Sequence, residues 1–298
     1  LLYLHMIKNN QEEFKKPYVM ILGCTQDGGY PIATCKKECC KNAILKNEKP
    51  TRVSCIAIVD PISSEQWIID ATPDLKEQLN ELYKQSKSEK INGIFLTHAH
   101  IGHYLGLAQL GQEVIGSNKI KVFCMQRMFD FLNNNGPWNQ LIKLENITLK
   151  KIQNELTIKL NSRISISPIL VPHRDEYSET VCYLISTMKK KLLYIPDIDK
   201  WHLWDKDIKE MIKIVDYALL DGTFYQNGEL GRDMSKIPHP FVKESMMLFK
   251  DLSKQNKQKV FFTHLNHTNP LIIKESKEQF EVKKLGFNFA KDNLILEL

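Results

Sequence analysis

The stretch Ile91–His103 reads INGIFLTHAHIGH, and it places three histidines within six positions directly after an apolar run. The run, Ile91–Leu96, predicts a short buried β-strand. Neutral imidazole nitrogen is a preferred ligand of zinc-class ions, at about 2.0 to 2.1 Å. A strand that ends here would deliver the rings of His98, His100 and His103 to the edge of a sheet, where loops commonly carry chemistry. The stretch therefore predicts both a sheet and a metal centre at its edge.

Further metal-capable side chains follow short apolar runs elsewhere in the chain, namely Asp70, His173, Asp197, Asp221 and His264. Taken alone, an aspartate such as Asp70, which precedes Ala-Thr-Pro-Asp, is more often a turn or helix cap than a ligand. The recurrence of the pattern together with the histidine block favours a metal site. His5 and His202 lack this context, and we expect them to be surface or structural residues.

The composition is that of a globular protein, because 43% of the 298 residues are hydrophobic and 26% are charged. The net charge is +6, but the lysines are scattered, which argues against a nucleic-acid partner. No run of about 18 apolar residues is present, so no membrane span is expected. The apolar start, Leu1–His5, fits a trimmed export signal as well as a cytoplasmic chain, so the location stays open.

Strand and helix patterns are interleaved along the chain. Apolar, mostly β-branched runs predict further strands at Tyr18–Gly23, Ser54–Val59, Gln66–Ile69, Lys119–Cys124, Ile164–Val171, Val181–Thr187, Lys191–Ile195, Tyr217–Leu220 and Lys259–Thr263. Apolar residues at helical spacing predict helices at Pro73–Gln85, Gln126–Asn133, Asp207–Val215, Pro240–Ser253 and Lys274–Phe280. We therefore expect one α/β layered domain over residues 17–298, after a polar N-terminal tail over residues 1–16.

The order of Asp70, the histidine block, His173, Asp197 and His264 resembles that of the metallo-β-lactamase superfamily. The resemblance covers Tyr18 to the end of the chain and implies an αββα four-layer sandwich with a metal centre at one edge. Within the superfamily, the chain looks most like the branch of the pyrroloquinoline-quinone biosynthesis protein B. The stretches that carry this likeness are Leu22–Pro31 (LGCTQDGGYP), the cysteine cluster, Leu220–Phe224 (LDGTF) and His264–Pro270 (HLNHTNP).

Carried over residue by residue, the resemblance implies two metal positions. His98, His100 and His173 would bind the first ion, His103 and His264 would bind the second, and Asp197 would bridge. The superfamily normally has an aspartate directly before the last histidine of the block, but Gly102 stands there. We expect a well-occupied first site and a weaker second one, unless a carboxylate such as Asp27, Asp221 or Asp175 replaces the missing ligand.

Seven cysteines, three of them crowded together, favour a metal clip over a disulfide framework. Cys35, Cys39 and Cys40 with His267 would form a closed structural zinc site. The cyclic phosphodiesterases of carbon-phosphorus lyase pathways look similar here, since they pair three early cysteines with a histidine three places after the last active-site histidine. Adjacent cysteines can both ligate only if the backbone bends sharply, so Cys39 and Cys40 are alternatives, and free surface thiols are the competing interpretation.

The chemistry implied by such a centre is hydrolysis of a small molecule by metal-activated water, with zinc as the first choice of metal and iron or manganese as alternatives. Asp70 would orient a ligand histidine, and Asp197 would bind metal. His239, held between prolines, would act as an acid or base, or else only mark the start of a helix. Arg174 is a candidate clamp for a carboxylate or phosphate, or else a surface ion pair.

Three functions stay open. The substrate of a hydrolase would be an ester, a phosphodiester, or a modified peptide or amino acid. The alternatives are an iron-dependent oxygenase-type enzyme of quinone-cofactor biosynthesis and a non-catalytic metal-binding or ligand-binding protein. A homodimer is compatible with the sequence.

Overall fold

The strands assemble into two seven-stranded sheets in the computed structural model, which describes residues 15–298. The N-terminal sheet has, in spatial order, β14 (Ile295–Glu297), β1 (Tyr18–Gly23), β2 (Cys55–Asp60), β3 (Glu65–Ile69), β4 (Gly93–Phe95), β5 (Ile120–Cys124) and β6 (Ile147–Lys151). The C-terminal sheet has β13 (Asn288–Phe289), β12 (Val260–Thr263), β11 (Tyr217–Asp221), β10 (Lys191–Ile195), β9 (Val181–Ser186), β8 (Ser165–Leu170) and β7 (Ile158–Lys159).

Helices connect the strands and cover the outer faces of both sheets. Their bounds are α1 (Glu38–Leu45), α2 (Leu75–Ser86), α3 (Ile101–Tyr104), α4 (Gln126–Asn134), α5 (Trp138–Lys143), α6 (Ile208–Ile214), α7 (Val242–Leu248), α8 (Lys254–Gln258) and α9 (Lys277–Lys284). Short 3₁₀ turns follow at Leu105–Leu110, Trp201–Leu203 and Pro270–Ile272.

Apolar side chains fill three successive layers. Phe95 and Tyr183 belong to the layer between the sheets, and their rings meet edge to face at 5.6 Å. Leu82 on α2 belongs to the layer outside the N-terminal sheet. Ile212 on α6 and Met246 on α7 belong to the layer outside the C-terminal sheet. This order of helix, sheet, sheet and helix confirms the predicted αββα sandwich.

Parallel pairing brings strand ends together at one edge of the sandwich. The strands β3 to β6 run parallel, as do β10 to β13, so their carboxyl ends lie at the same edge of each sheet. Asp70 and His264 directly follow β3 and β12, and their φ angles of 71° and 59° lie in the left-handed region. Non-glycine residues rarely adopt that conformation, and such strain concentrates at functional sites.

Two helices differ from the predicted ones because serines begin new helices. The helix predicted at Pro240–Ser253 ends at Leu248, and Ser253 instead caps α8 by accepting a hydrogen bond from Asn256 N. The helix predicted at Lys274–Phe280 begins later, because Ser276 accepts from Gln279 N and caps α9. A serine hydroxyl at this position satisfies a backbone N–H that the first turn of a helix leaves free.

The predicted N-terminal tail lies outside the described residues apart from Lys15 and Lys16, and so does His5. Lys16 forms a salt bridge with Glu297 on β14 at 2.6 Å. Over residues 15–298, none of the helices has the length and apolar character needed to cross a bilayer.

Candidate metal centre

Three histidines from the two sheets form the first group of potential ligands. His98 lies just beyond β4, His100 directly precedes α3, and His173 lies just beyond β8. One ring nitrogen of each lies within 4.8 Å of the other two. The side chains of His98 and His173 are buried, and that of His100 is 17% exposed. Three imidazoles at this spacing match the three-nitrogen sets that hold a catalytic zinc ion.

The Asp197 carboxylate lies between this group and a second one. Its Oδ2 is 2.9 Å from His103 Nε2, 3.3 Å from His264 Nε2 and 3.6 Å from His98 Nε2. Its Oδ1 is 3.9 Å from His173 Nε2. The structure thus brings the six side chains of the predicted centre together, and one carboxylate faces nitrogens of both groups.

Asp70 and Thr97 determine which nitrogen each histidine of the N-terminal sheet presents. The Thr97 hydroxyl donates to Asp70 Oδ1 at 3.0 Å, so its oxygen can accept the Nδ1 proton of His98 at 2.9 Å. His103 Nδ1 donates to Asp70 Oδ2 at 2.7 Å. Both rings therefore direct Nε2, the nitrogen with a free lone pair, toward Asp197.

Asp221 and Thr223 repeat this arrangement at the C-terminal sheet. The Thr223 hydroxyl donates to Asp221 Oδ1 at 2.7 Å and accepts from His264 Nδ1 at 2.9 Å. Asp221 Oδ2 accepts from His239 Nδ1 at 2.8 Å. The same His239 nitrogen is 3.5 Å from Asp197 Oδ1, so His239 lies beside the potential metal ligands.

Replacing Asp70 with asparagine is expected to weaken metal binding about 10-fold to 100-fold, because the amide cannot provide the negative charge that orients His103. Competition with a chromogenic chelator measures the affinity. Asp60→Asn is the matched control, since Asp60 is a buried carboxylate at the opposite end of the same sheet, paired with Arg163. Equal metal affinities for the two variants would contradict the orienting role.

Burial and neighbouring charges shift the pKa values of these groups, and for His98, His173, His264 and Asp197 the shift favours the form that metals bind. Burial lowers the pKa of His98 well below its ordinary value, that of His173 to about 4, and that of His264 as well. Burial opposes ionisation of Asp197, but His264 and His103 hold its pKa well below the ordinary value. Burial also opposes protonation of His103, yet two adjacent carboxylates raise its pKa well above the ordinary value. These carboxylates favour positive charge beside His103, and a bound cation would supply it.

Buried polar atoms that lack a hydrogen-bond partner concentrate at this centre. Among the described residues they include atoms of Asp27, His98, His103, His173, Asp197 and His264. Leaving such an atom unpaired costs roughly 1 to 3 kcal/mol. A bound cation would remove this cost, because the unpaired nitrogen and oxygen atoms could all coordinate it. The residues present therefore fit a metal ion.

Thr97, Thr223 and Glu176 are orienting residues that sequence reasoning missed. Each threonine lies within two positions of a predicted site residue, which is the signal that could have identified it. Glu176 Oε2 is 3.0 Å from His100 Nε2, so this carboxylate holds the orientation of the ring. Arg174 Nη2 is 3.2 Å from the same His100 nitrogen and 3.4 Å from His100 Nδ1, and its Nη1 is 3.7 Å from Glu176 Oε1, so Arg174 forms a surface ion pair beside the potential ligands.

Cys35, Cys39, Cys40 and His267 form a separate group whose ligand atoms also lie within 4.8 Å of one another. His267 Nδ1 is 3.7, 3.8 and 3.3 Å from the three sulfurs in that order. The adjacent cysteines lie in the first turn of α1, a helix that the sequence analysis did not predict. Both sulfurs therefore reach His267 without the sharp bend that we expected, and all four residues are available to one metal ion.

The sequence matches one family model and several curated proteins. A family model described as "Beta-lactamase superfamily domain" matches residues 66–265. Coenzyme PQQ synthesis protein B of Acinetobacter baumannii (strain ACICU) is 24% identical, over 94% of this chain and 100% of the relative. The protein of the same name from Pseudomonas entomophila (strain L48) is 26% identical, over the same shares.

Solved structures show the same fold. Zn(2+)-bound PqqB from Methylobacterium extorquens has a TM-score of 0.80 at 22% identity, covering 94% of this chain and 100% of that one. A diphosphatase from the PhnP family has a TM-score of 0.70 at 18% identity, covering 95% of this chain and 97% of that one. Because the sequence identities are below 25%, the similarity of these structures shows a shared fold only.

Proposed function

Because the chain belongs to the beta-lactamase superfamily, we propose that it is a metal-dependent hydrolase of a small ester or phosphodiester. The observation that carries the proposal is the convergence of unpaired ring nitrogens on the Asp197 carboxylate, from strand ends of both sheets. A divalent ion bound there would lower the pKa of water toward about 7 and polarise a carbonyl or phosphoryl oxygen.

The protein's own groups prepare the site for that ion. Asp70 and Thr97 on one sheet, and Asp221 and Thr223 on the other, hold protons on Nδ1 of the rings that they contact. Because these bonds form within the fold, the ligand nitrogens are oriented before any metal or substrate arrives. The half-exposed Arg174 guanidinium beside His100 would bind an anionic group of the substrate in exchange for its 3.7 Å ion pair with Glu176.

His239 would move the proton that a leaving group needs. Its Nδ1 is committed to Asp221, so Nε2 is the nitrogen left to meet a substrate. Burial alone would lower the pKa of His239, but the Asp221 carboxylate raises it above the ordinary value. An Asp–His pair next to the metal ligands is suited to general acid catalysis.

Replacing His239 with asparagine is expected to lower kcat about 10²-fold to 10⁴-fold without loss of metal, the range that general acid–base catalysis contributes. Hydrolysis of a chromogenic phosphodiester by the zinc-loaded protein measures the effect. His202→Asn provides the control, because His202 is exposed on a 3₁₀ turn and should keep the wild-type kcat. A fully active His239→Asn variant would exclude this role.

A second candidate is an oxygen-dependent role like that of a quinone-cofactor biosynthesis enzyme. Relatives named Coenzyme PQQ synthesis protein B are similar along their full length, and two histidines with one carboxylate can hold non-haem iron. Oxygen uptake with ferrous ion, without hydrolysis by the zinc form, would favour this candidate. A folded protein that binds no metal and is inactive in both assays would favour the non-catalytic binding function.

The hydrolase proposal is tested by chelation and reloading. The purified protein should hydrolyse a chromogenic phosphodiester or ester, lose that activity with a chelator, and regain it with added zinc. His100→Ala should stay inactive after reloading, because His100 belongs to the first ligand group. Activity that persists in the chelated protein would contradict the proposal.

A further inference from the structure

The loop after β1 brings the carboxylate of Asp27 against the second group of ligands. Asp27 Oδ1 is 3.6 Å from His103 Nε2 and 4.0 Å from His264 Nε2. These three residues form a group whose ligand atoms lie within 4.8 Å of one another. The oxygen is buried and has no hydrogen-bond partner among residues 15–298, although the side chain as a whole is 33% exposed. A buried, unpaired carboxylate oxygen beside two imidazole nitrogens suits a cation.

Gly102 makes room for that carboxylate. A Cβ atom at Gly102 would lie 2.0 Å from Asp27 Oδ1 and 2.8 Å from Asp27 Cα, which is far inside normal contact distance. Gly102 is not among the glycines with positive φ, so its backbone conformation does not require glycine. Glycine is needed at position 102 because any side chain there would occupy the space that Asp27 fills.

The Asp27 loop is fixed to the strand end that carries His264. Gln26 N donates to Leu265 O at 2.9 Å, and Leu265 N donates to Cys24 O at 2.8 Å. The turn closes with Gly29 N donating to Gln26 O at 2.8 Å. The carboxylate therefore reaches its position as part of folding, without an additional ordering cost when a metal binds.

The other carboxylates considered from the sequence are already engaged. Asp221 Oδ1 accepts from Thr223, and its Oδ2 accepts from His239. Asp175 Oδ1 accepts from Thr180 at 2.7 Å, and Asp175 lines a small cavity beside the first ligand group. Of the three, Asp27 is the one with a free oxygen directed at His103 and His264.

We propose that Asp27 is the anionic ligand of a second divalent metal ion, held together with His103, His264 and Asp197. The inference rests on the proposed metal-dependent function, and it assigns to Asp27 the ligand that Gly102 lacks. Two histidines and two carboxylates suit first-row transition ions such as zinc, manganese or iron. The second position then has a full ligand set, and it is not the weak site that the sequence alone leads us to expect.

A ligand exchange between positions 27 and 102 tests the inference with zinc alone as the probe. Asp27→Gly should bind one zinc ion fewer per chain than the wild type, or bind it more than about 100-fold more weakly, since even the loss of a residue that only orients a ligand weakens binding up to about 100-fold. The double variant Asp27→Gly, Gly102→Asp should regain the ion, because it restores a carboxylate and removes the contacts with Asp27 Oδ1 and Cγ; the remaining 2.8 Å contact with Cα of residue 27 requires a small shift of the loop. Asp175→Asn should bind zinc like the wild type.

Elemental analysis and chelator competition give the stoichiometry and the affinity, and thermal unfolding verifies the fold. Asp27→Asn, which preserves the size of the side chain, should lose affinity like Asp27→Gly. Wild-type zinc binding by both single variants would overturn the role of Asp27 and leave the hydrolase proposal standing. A wild-type protein that binds zinc at the cysteine group alone would overturn both proposals.

Discussion

Replacing Asp197 with asparagine is expected to lower hydrolysis at least about 1,000-fold. Asp197 Oδ2 faces nitrogens of His98, His103 and His264 at 2.9 to 3.6 Å, so the substitution removes the negative charge that both ligand groups share. A bound ion contributes several kcal/mol of charge stabilisation in the transition state, and each 1.36 kcal/mol corresponds to a tenfold change in rate. The asparagine side chain preserves the volume, so packing changes little.

The measurement is kcat/KM for a chromogenic substrate, with metal content determined on the same sample. Asp199→Asn is the matched control, because Asp199 lies on the same loop and its side chain contacts the backbone N–H of Lys200. The control should retain most of the activity and all of the metal. An Asp197→Asn variant with wild-type kcat/KM and metal content would show that the carboxylate is not a ligand.

The second large effect is expected at the cysteine group, where Cys40→Ser should remove one zinc ion per chain and lower the thermal midpoint by about 10 °C. Cys40 is fully buried with its sulfur 3.3 Å from His267 Nδ1. A metal present at about 1,000 times its dissociation constant stabilises the native state by about 4 kcal/mol. In a chain of this size each kcal/mol shifts the midpoint by roughly 2 to 4 °C.

Thermal unfolding with and without a chelator separates the zinc effect from packing. The wild type and Cys40→Ser should unfold at similar temperatures once metal is removed, because the remaining difference is one buried atom. Cys24→Ala is the control for metal content, since Cys24 is buried outside the four-residue group. Equal zinc content in Cys40→Ser and the wild type would show that Cys40 is not a ligand, and a wild type without zinc at this group would favour the alternative of free thiols.

Local sequence patterns predict much of the sandwich, because each buried strand is visible as an apolar run in the sequence. The candidate ligands come directly after these runs. The histidine block and Asp197 are examples, and their convergence follows once parallel strands align their carboxyl ends. Short strands such as β7 and β13, with two residues each, are stabilised by pairing with neighbours and leave no pattern of their own. The helix α1 is not predicted, because its adjacent cysteines, Cys39 and Cys40, indicate a metal site and not a helix.

The contact between Asp27 and Gly102 could not be predicted from local sequence patterns. The two residues are far apart in the chain, and they meet because the loop after β1, held by its pairing with Leu265, passes over α3 at Gly102. From the sequence, Asp27, Asp175 and Asp221 were equal candidates to replace the missing carboxylate. The structure distinguishes them, because Asp27 has an unpaired oxygen facing His103 and His264, whereas Asp175 and Asp221 already accept hydrogen bonds.

Anomalous diffraction at the zinc edge, from crystals of the zinc-loaded protein, tests most directly whether these side chains share a cation. We expect peaks about 2.0 to 2.1 Å from nitrogens of His98, His100 and His173, and likewise from those of His103 and His264. Anomalous density confined to the cysteine group, with the five histidine rings free of metal, would contradict the account.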